Sequence, residues 1–147
     1  MALEIYRADA SHLGVLVPLF DAYRVFYRQP SDQDAARTFL RARLARNDTV
    51  IFMADKGGPV GFTQIFPSFS SVSLKRLWIL NDLFVTPNAR RAGVAKALLE
   101  RARQYALDTR AKALVLSTEV DNKSAQRLYE ALGWRRDETF YTYGLEV

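Results

Sequence analysis

The chain has 147 residues, 49% of them hydrophobic, which suits one domain with a buried core of ordinary size. It has no cysteine and a single histidine, His12, so disulfides, thiolate nucleophiles and multi-histidine metal sites are excluded, and no metal is expected. Lys and Arg number 21 against 16 Asp and Glu, and the resulting net charge of +5 fits an anionic partner without choosing between nucleic acid and a phosphorylated small molecule.

No apolar run reaches the roughly 18 residues a membrane helix needs. The first ten residues, MALEIYRADA, lack a basic stretch followed by an apolar one, so no leader is visible and a cytoplasmic protein is expected. In chain order, residues 3–7 alternate weakly and predict a short strand. Asp9 or Ser11 then caps a helix to about Tyr27, with Leu13, Leu16, Val17 and Phe20 at helical spacing and Pro18 expected to kink it. Ser31 and Asp34 resemble a capping box for a second helix striped by Ala36, Phe39, Leu40 and Leu44.

Residues 50–54 predict a strand, and Lys56-Gly57-Gly58-Pro59 turns it into a hairpin with residues 60–66. Residues 67–71 read as a loop, followed by a long strand over 73–85 whose last part, ILNDLFV, is apolar enough to be buried on both faces. From Gly93 the pattern turns helical, with Val94, Ala95, Leu98, Leu99, Ala102, Tyr105 and Ala106 on one face. Residues 113–117 give a short buried strand, residues 122–132 a helix stopped by Gly133, and residues 134–137 and 140–146 two final strands. This order implies an α/β fold: one mixed sheet of about six or seven strands with helices on both faces, in a single domain over residues 1–147.

The chemically informative stretch is residues 81–99, NDLFVTPNARRAGVAKALL. A buried strand ends, a turn carries Pro87, and an amphipathic helix opens at Arg90-Arg91-Ala92-Gly93-Val94-Ala95. A helix start presents unsatisfied N–H groups and roughly half a positive charge. Gly93 removes a side chain from the approach, and Arg90, Arg91 and Lys96 add charge, which together suit a pyrophosphate. Neither the P-loop pattern nor the dinucleotide fingerprint is present. The competing reading is an ordinary strand-turn-helix with a basic, solvated first turn, although helix starts favour acidic residues. A second constellation runs from Asn122 through Ala125, Leu128 and Tyr129 to Gly133 and Trp134; read plainly, it is a capped helix with Tyr129 as a core aromatic.

Arg90-x-x-Gly93-x-Ala95 resembles the Q/R-x-x-G-x-G/A signature of the GNAT acetyltransferases, and the Asn122 to Trp134 pattern is similar to that family's second motif at its usual distance downstream. With the element order, the resemblance covers nearly the whole chain. It implies a sheet splayed between the strands at 81–85 and 113–117, and acetyl-CoA as cofactor, with coenzyme A as product. The backbones of Leu83 and Val85 would bond the pantetheine arm, with an N–H near Phe84 or Val85 for the developing oxyanion. Backbone N–H groups from Arg91, Ala92 and Gly93 through Val94, Ala95 and Lys96 would hold the pyrophosphate, and Asn122 would reach the arm from the other side. The reaction implied is direct attack by a primary amine on the thioester, without a covalent enzyme intermediate.

The leaving thiolate needs a proton. Ordinary tyrosine titrates near 10 and a thiol near 8.5, so Tyr129 suits a general acid that also lies against the cofactor. Asp82 and Glu119 are the candidate bases, directly or through water, and also candidates to attract a cationic amine together with Asp21. The relatives that acetylate polyamines carry Glu-Asp where this chain has Asn81-Asp82, which weakens the transfer of their base and substrate. Tyr23 and Tyr27, at the end of the first helix, give an aromatic edge for the acceptor. The acceptor expected is a small molecule such as an amino acid, a polyamine or an amino-bearing antibiotic rather than a protein, and the family expectation is a homodimer. Two rivals remain: a non-catalytic acetyl-CoA sensor or subunit, and a basic nucleic-acid-binding module. No nucleic-acid motif supports the second, and the arginine runs at 41–46 and 101–103 read as solvated helix faces.

Overall fold

The computed structural model describes residues 1–147, in two compact units, Met1–Leu116 and Ser117–Val147. In the first, five strands form one sheet in the order β1-β2-β3-β4-β5: β1 Glu4–Arg7, β2 Val50–Asp55, β3 Pro59–Ser70, β4 Lys75–Val85 and β5 Ala113–Val115. Neighbours are antiparallel except β4 and β5, which are parallel and joined through α3, Val94–Asp108. Helices α1, Leu13–Phe26, and α2, Gln33–Arg46, cover one face.

Alternation along β2 sorts the two cores. Ile51 and Met53 pack with Leu16, Val17, Phe20, Leu40 and Phe62 under α1 and α2. Phe52 points the other way, its ring 5.6 Å from that of Tyr105 on α3 and beneath the Arg101 guanidinium at 4.4 Å. Of the seven residues expected on one face of α3, Val94, Leu98, Leu99, Ala102 and Ala106 are buried, while Ala95 and Tyr105 are half-buried at its margin.

Several boundaries differ from the sequence expectation. Asp9 caps a 3-10 turn, Ala10–His12, ahead of α1, and α1 runs on through Pro18. Asp32, not Ser31, caps α2 by accepting from the Ala35 N–H at 3.0 Å. The expected loop at 67–71 is largely strand, because Pro67 pairs with Trp78 and the hairpin continues to Ser70 and Lys75. Pro67 is tolerated there because β2 reaches only as far as Ile65, so the missing N–H faces an open edge. β5 stops at Val115 rather than at residue 117.

In Ser117–Val147 the regular element is α4, Lys123–Ala131. The strands expected at 134–137 and 140–146 do not pair with each other, which brings the sheet below the six or seven strands expected. The Asp137 carboxylate accepts from the N–H groups of Thr139 and Phe140, turning the chain between the two segments without closing a ladder.

Gly61 permits a close approach of β3 to the end of β4 and to α3. A Cβ there would meet the Phe84 carbonyl oxygen at 2.7 Å and the Leu98 and Val94 methyls at 3.4 Å. Gly61→Ala is expected to cost about 2 kcal/mol through forced backbone displacement, read as a lowered midpoint in urea unfolding. An unchanged midpoint would show that the sheet yields there freely.

Candidate active site

The open edge of β4 begins at a bulge. Gln64 lies opposite Asp82 and Ile65 opposite Leu80, so Asn81 is an extra residue on β4. A bulge bends its strand and sharpens its twist. On the other side, β4 pairs with β5 only through Leu77, Trp78 and Ile79, so the parallel ladder ends just before the bulge. The Thr86 N–H donates to the Val60 carbonyl at 2.9 Å. By antiparallel alternation, the backbone groups of Leu83 and Val85 therefore point away from β3, toward the edge that β5 leaves open, while Phe84 bonds to β3. The bulge also turns Asp82 and Phe84 to the α1 face of the sheet.

After β4, a 3-10 turn at Pro87–Ala89 leads into the loop before α3. Arg91 and Gly93 are both left-handed, with φ of 64° and 78°. Backbone of this kind directs successive N–H groups into a concavity. Gly93 is the N-cap of α3 and offers no side-chain cap, and no acidic residue lies in the first turn. The first N–H groups of α3, those of Val94, Ala95 and Lys96, thus start a 15-residue helix without a side-chain partner. A Cβ on Gly93 would meet nothing within 4 Å, so the approach is open. These features fit a pyrophosphate group.

Arg90 is placed otherwise than as a free phosphate ligand. Its Nε donates to the Val85 carbonyl at 2.9 Å, and its guanidinium lies over the rings of Phe26 at 5.1 Å and Phe84 at 5.9 Å. A partly desolvated guanidinium gains more from a carbonyl and two ring faces than from solvent. Arg90 is nonetheless exposed overall, as are Arg91, Ala92 and Lys96.

Asp82 is buried, and its carboxylate is held by neutral donors, Gln64 Nε2 at 2.7 Å and Asn81 Nδ2 at 3.1 Å. Tyr23 is half-buried against the rings of Phe62 at 5.5 Å and Phe84 at 5.9 Å, whereas Tyr27 is exposed, its ring 5.1 Å from that of Tyr23. Tyr23 is therefore partly core.

Asp21, considered above for an amine, is a structural cap instead. It accepts from the Ser31 hydroxyl at 2.6 Å and the Asp32 N–H at 2.8 Å, tying α1 to the start of α2. The Ser31 bond first, then the Asp32 bond, with a smaller contribution from Arg24, hold its carboxyl below the usual carboxylate range against the opposing effect of burial. A depressed folded value means that this stabilisation is complete above the unfolded value of about 4 and lost as pH falls through the folded one. Asp21→Asn is therefore expected to lower stability in urea at pH 7, with the gap to wild type closing below about pH 4. A gap of constant size across that range would refute the cap.

Within the second unit, Asn122 caps α4, its Oδ1 accepting from the Ala125 N–H at 3.2 Å. Its amide oxygen is thus engaged in the cap. Tyr129 lies on α4 with its ring 6.0 Å from that of Trp134. Glu119 precedes α4 in a turn, its carbonyl accepting from the Asn122 N–H at 3.0 Å and the Gln126 amide at 3.1 Å, while its side chain is exposed.

With this geometry in view, residues 16–134 match the sequence signature of the acetyltransferase (GNAT) family. The chain belongs to the GNAT acetyltransferase family. It is 47% identical over 146 residues to an uncharacterized N-acetyltransferase, YhfO, of Bacillus subtilis, covering 99% of this chain and 98% of that protein. A crystal structure of a probable acetyltransferase superposes with a TM-score of 0.93 at 46% identity, covering 98% of this chain and 97% of that one. The same fold recurs at 21% identity, with a TM-score of 0.80 over the full length of both chains, in AAC(6')-Iy bound to a bisubstrate analog, CoA-S-monomethyl-acetylneamine. The chain is accordingly a GNAT acetyltransferase with a mixed α/β sheet, and no helix in it is long and apolar enough to cross a membrane.

Asn81 as a bulge and Gln64 as a partner of Asp82 were not anticipated from sequence. The polar pair Asn81-Asp82 inside an otherwise apolar strand was the available signal for the first.

Proposed function

We propose that this GNAT enzyme transfers the acetyl group of acetyl-CoA to the primary amine of a small molecule, by direct attack within a ternary complex, as a single catalytic domain. The observation that carries this reading is the end of the β4–β5 ladder at Ile79 beside the uncapped start of α3 at Gly93. One opening offers outward backbone groups at Leu83 and Val85, and the other offers N–H groups from Arg91 to Lys96. Bound acetyl-CoA supplies the acyl thioester; the remaining tasks fall to the chain.

The backbones of Leu83 and Val85 hold the amide arm, with the Val85 carbonyl already shared with Arg90 and its N–H left for the ligand. Residues 91–96 hold the phosphates by N–H groups and by the Arg91 and Lys96 charges. Asn122 contributes its Nδ2 to the arm. Tyr129 keeps a phenolic proton for the departing thiolate. Asp82 takes the proton of the incoming ammonium, with Glu119 as the alternative, and Tyr23 and Tyr27 border the amine's aliphatic part. A homodimer in the cytoplasm is the arrangement proposed.

Calorimetry with acetyl-CoA and desulfo-coenzyme A tests the donor site, and thiol release tests the acceptor. The amine panel comprises L- and D-amino acids, spermidine, an aminoglycoside and n-butylamine. Micromolar donor binding and amine-dependent thiol release are expected. Failure of the folded protein to bind either donor would overturn the reading.

A further inference from the structure

Three polar side chains lie in line across the middle of the sheet: Thr49 just before β2, Gln64 on β3 and Asp82 on β4. Their exposures are 3%, 1% and 6%. The Thr49 hydroxyl donates to Gln64 Oε1 at 2.7 Å, and Gln64 Nε2 donates to Asp82 Oδ2 at 2.7 Å. The carboxylate accepts only, so it takes the amide N–H; that turns Oε1 toward Thr49, whose hydroxyl donates to it and braces the amide from its other end. Asp82 is held at two further points, Oδ1 by Asn81 at 3.1 Å and its backbone carbonyl by the Thr63 hydroxyl at 2.8 Å.

We infer that Gln64, braced by Thr49, is a positioning residue that fixes the Asp82 carboxylate to receive the proton of the acceptor amine. This rests on the reading of Asp82 as the base. The three donors around Asp82, from Gln64, Asn81 and Thr63, are all neutral, and no cationic side chain pairs with its carboxylate, so the group is fixed in place without a salt bridge. Stability alone does not require the arrangement. An apolar set of the same shape costs nothing in desolvation and is commonly as stable or more so. What a satisfied buried network adds is rigidity. A proton acceptor gains from that, because small displacements of a reacting group lower rates steeply.

A double-mutant cycle tests the inference, using the fastest acceptor of the amine panel and saturating acetyl-CoA. Gln64→Met keeps the length of the side chain and removes both polar ends. It is expected to lower kcat by about 10- to 100-fold, with the acetyl-CoA Kd unchanged. Thr49→Val should show a smaller loss in the same direction, and Thr49→Ser, which keeps the hydroxyl, should recover most of the wild-type rate. In an Asp82→Asn background Gln64→Met should cost nothing further, because its effect passes through the carboxylate. Additive losses, or a parallel weakening of acetyl-CoA binding, would make Gln64 merely structural and overturn the inference while leaving Asp82 as base. Wild-type turnover by Asp82→Asn would overturn the base reading itself, and the inference with it. A panel in which no amine is acetylated would overturn both together with the proposed function.

Discussion

Gly93→Glu is expected to weaken acetyl-CoA binding by at least about 100-fold, equivalent to about 2.7 kcal/mol, in a protein that remains folded. Two consequences of the substitution separate cleanly. For the fold, a Cβ at this position meets nothing within 4 Å, so the steric cost is confined to a non-glycine residue at φ 78°. That strain is about 1 kcal/mol, and a carboxylate at the start of α3 offsets part of it by facing the positive end of the helix. For the ligand, the same carboxylate occupies the opening in front of the Val94, Ala95 and Lys96 N–H groups and opposes an anion there. Gly93→Asn is the control, since asparagine tolerates left-handed backbone and brings bulk without charge. It should bind acetyl-CoA more weakly than wild type but more tightly than the glutamate variant. Calorimetry alongside thermal unfolding gives both readouts. A glutamate variant that binds within threefold of wild type would place the phosphates elsewhere.

Much of the frame behind that prediction was written locally. The α3 stripe of Val94, Leu98, Leu99, Ala102 and Ala106 is a 3.6-residue pattern that needs no partner to be seen, and all five are buried. The turn at Gly57-Gly58 and the cap at Asn122 are likewise decided within a few residues. Other features depend on distant chain. The 67–70 segment is strand because Trp78 and its neighbours pair with it, although Pro67 and three serines nearby argue for a loop. Ser31 was a sound N-cap by type, but Asp21 engages its hydroxyl from ten residues upstream and Asp32 takes the cap.

The site shows the same division. The helix start at Gly93 and its open approach were readable from residue type, whereas the left-handed backbone at Arg91 and Gly93 was not, because an N-cap is ordinarily extended. The bulge at Asn81 is a property of β3 and β4 together, and the Thr49–Gln64–Asp82 chain joins three segments that share no local pattern. Arg90 belongs to a basic run that reads as free charge, yet its guanidinium is held by Val85 and Phe84 at the end of β4 and by Phe26, which α1 brings from far away in the chain. Composition near a site indicates which charges are available; packing determines which of them remain for a ligand.

Tyr129→Phe is expected to lower kcat by about 100-fold while leaving the acetyl-CoA Kd within about twofold. The substitution removes one hydroxyl and preserves the ring that stands 6.0 Å from Trp134 within the second unit. Ring packing and the cap at Asn122 are unchanged, so α4 should persist, and thermal unfolding will verify it. The predicted loss follows from proton transfer. A thiol of pKa about 8.5 leaves as an anion unless a donor of comparable acidity stands ready, and ordinary tyrosine, near 10, is protonated at neutral pH and close enough in acidity to serve. Positioned proton donors contribute about 100- to 10,000-fold, so the lower end of that range is the minimum expected. Loss confined to kcat identifies a group that acts in the transition state. A rise in KM for acetyl-CoA with kcat preserved would assign Tyr129 to donor binding instead, and an unchanged kcat would leave the departing thiolate to be protonated by solvent.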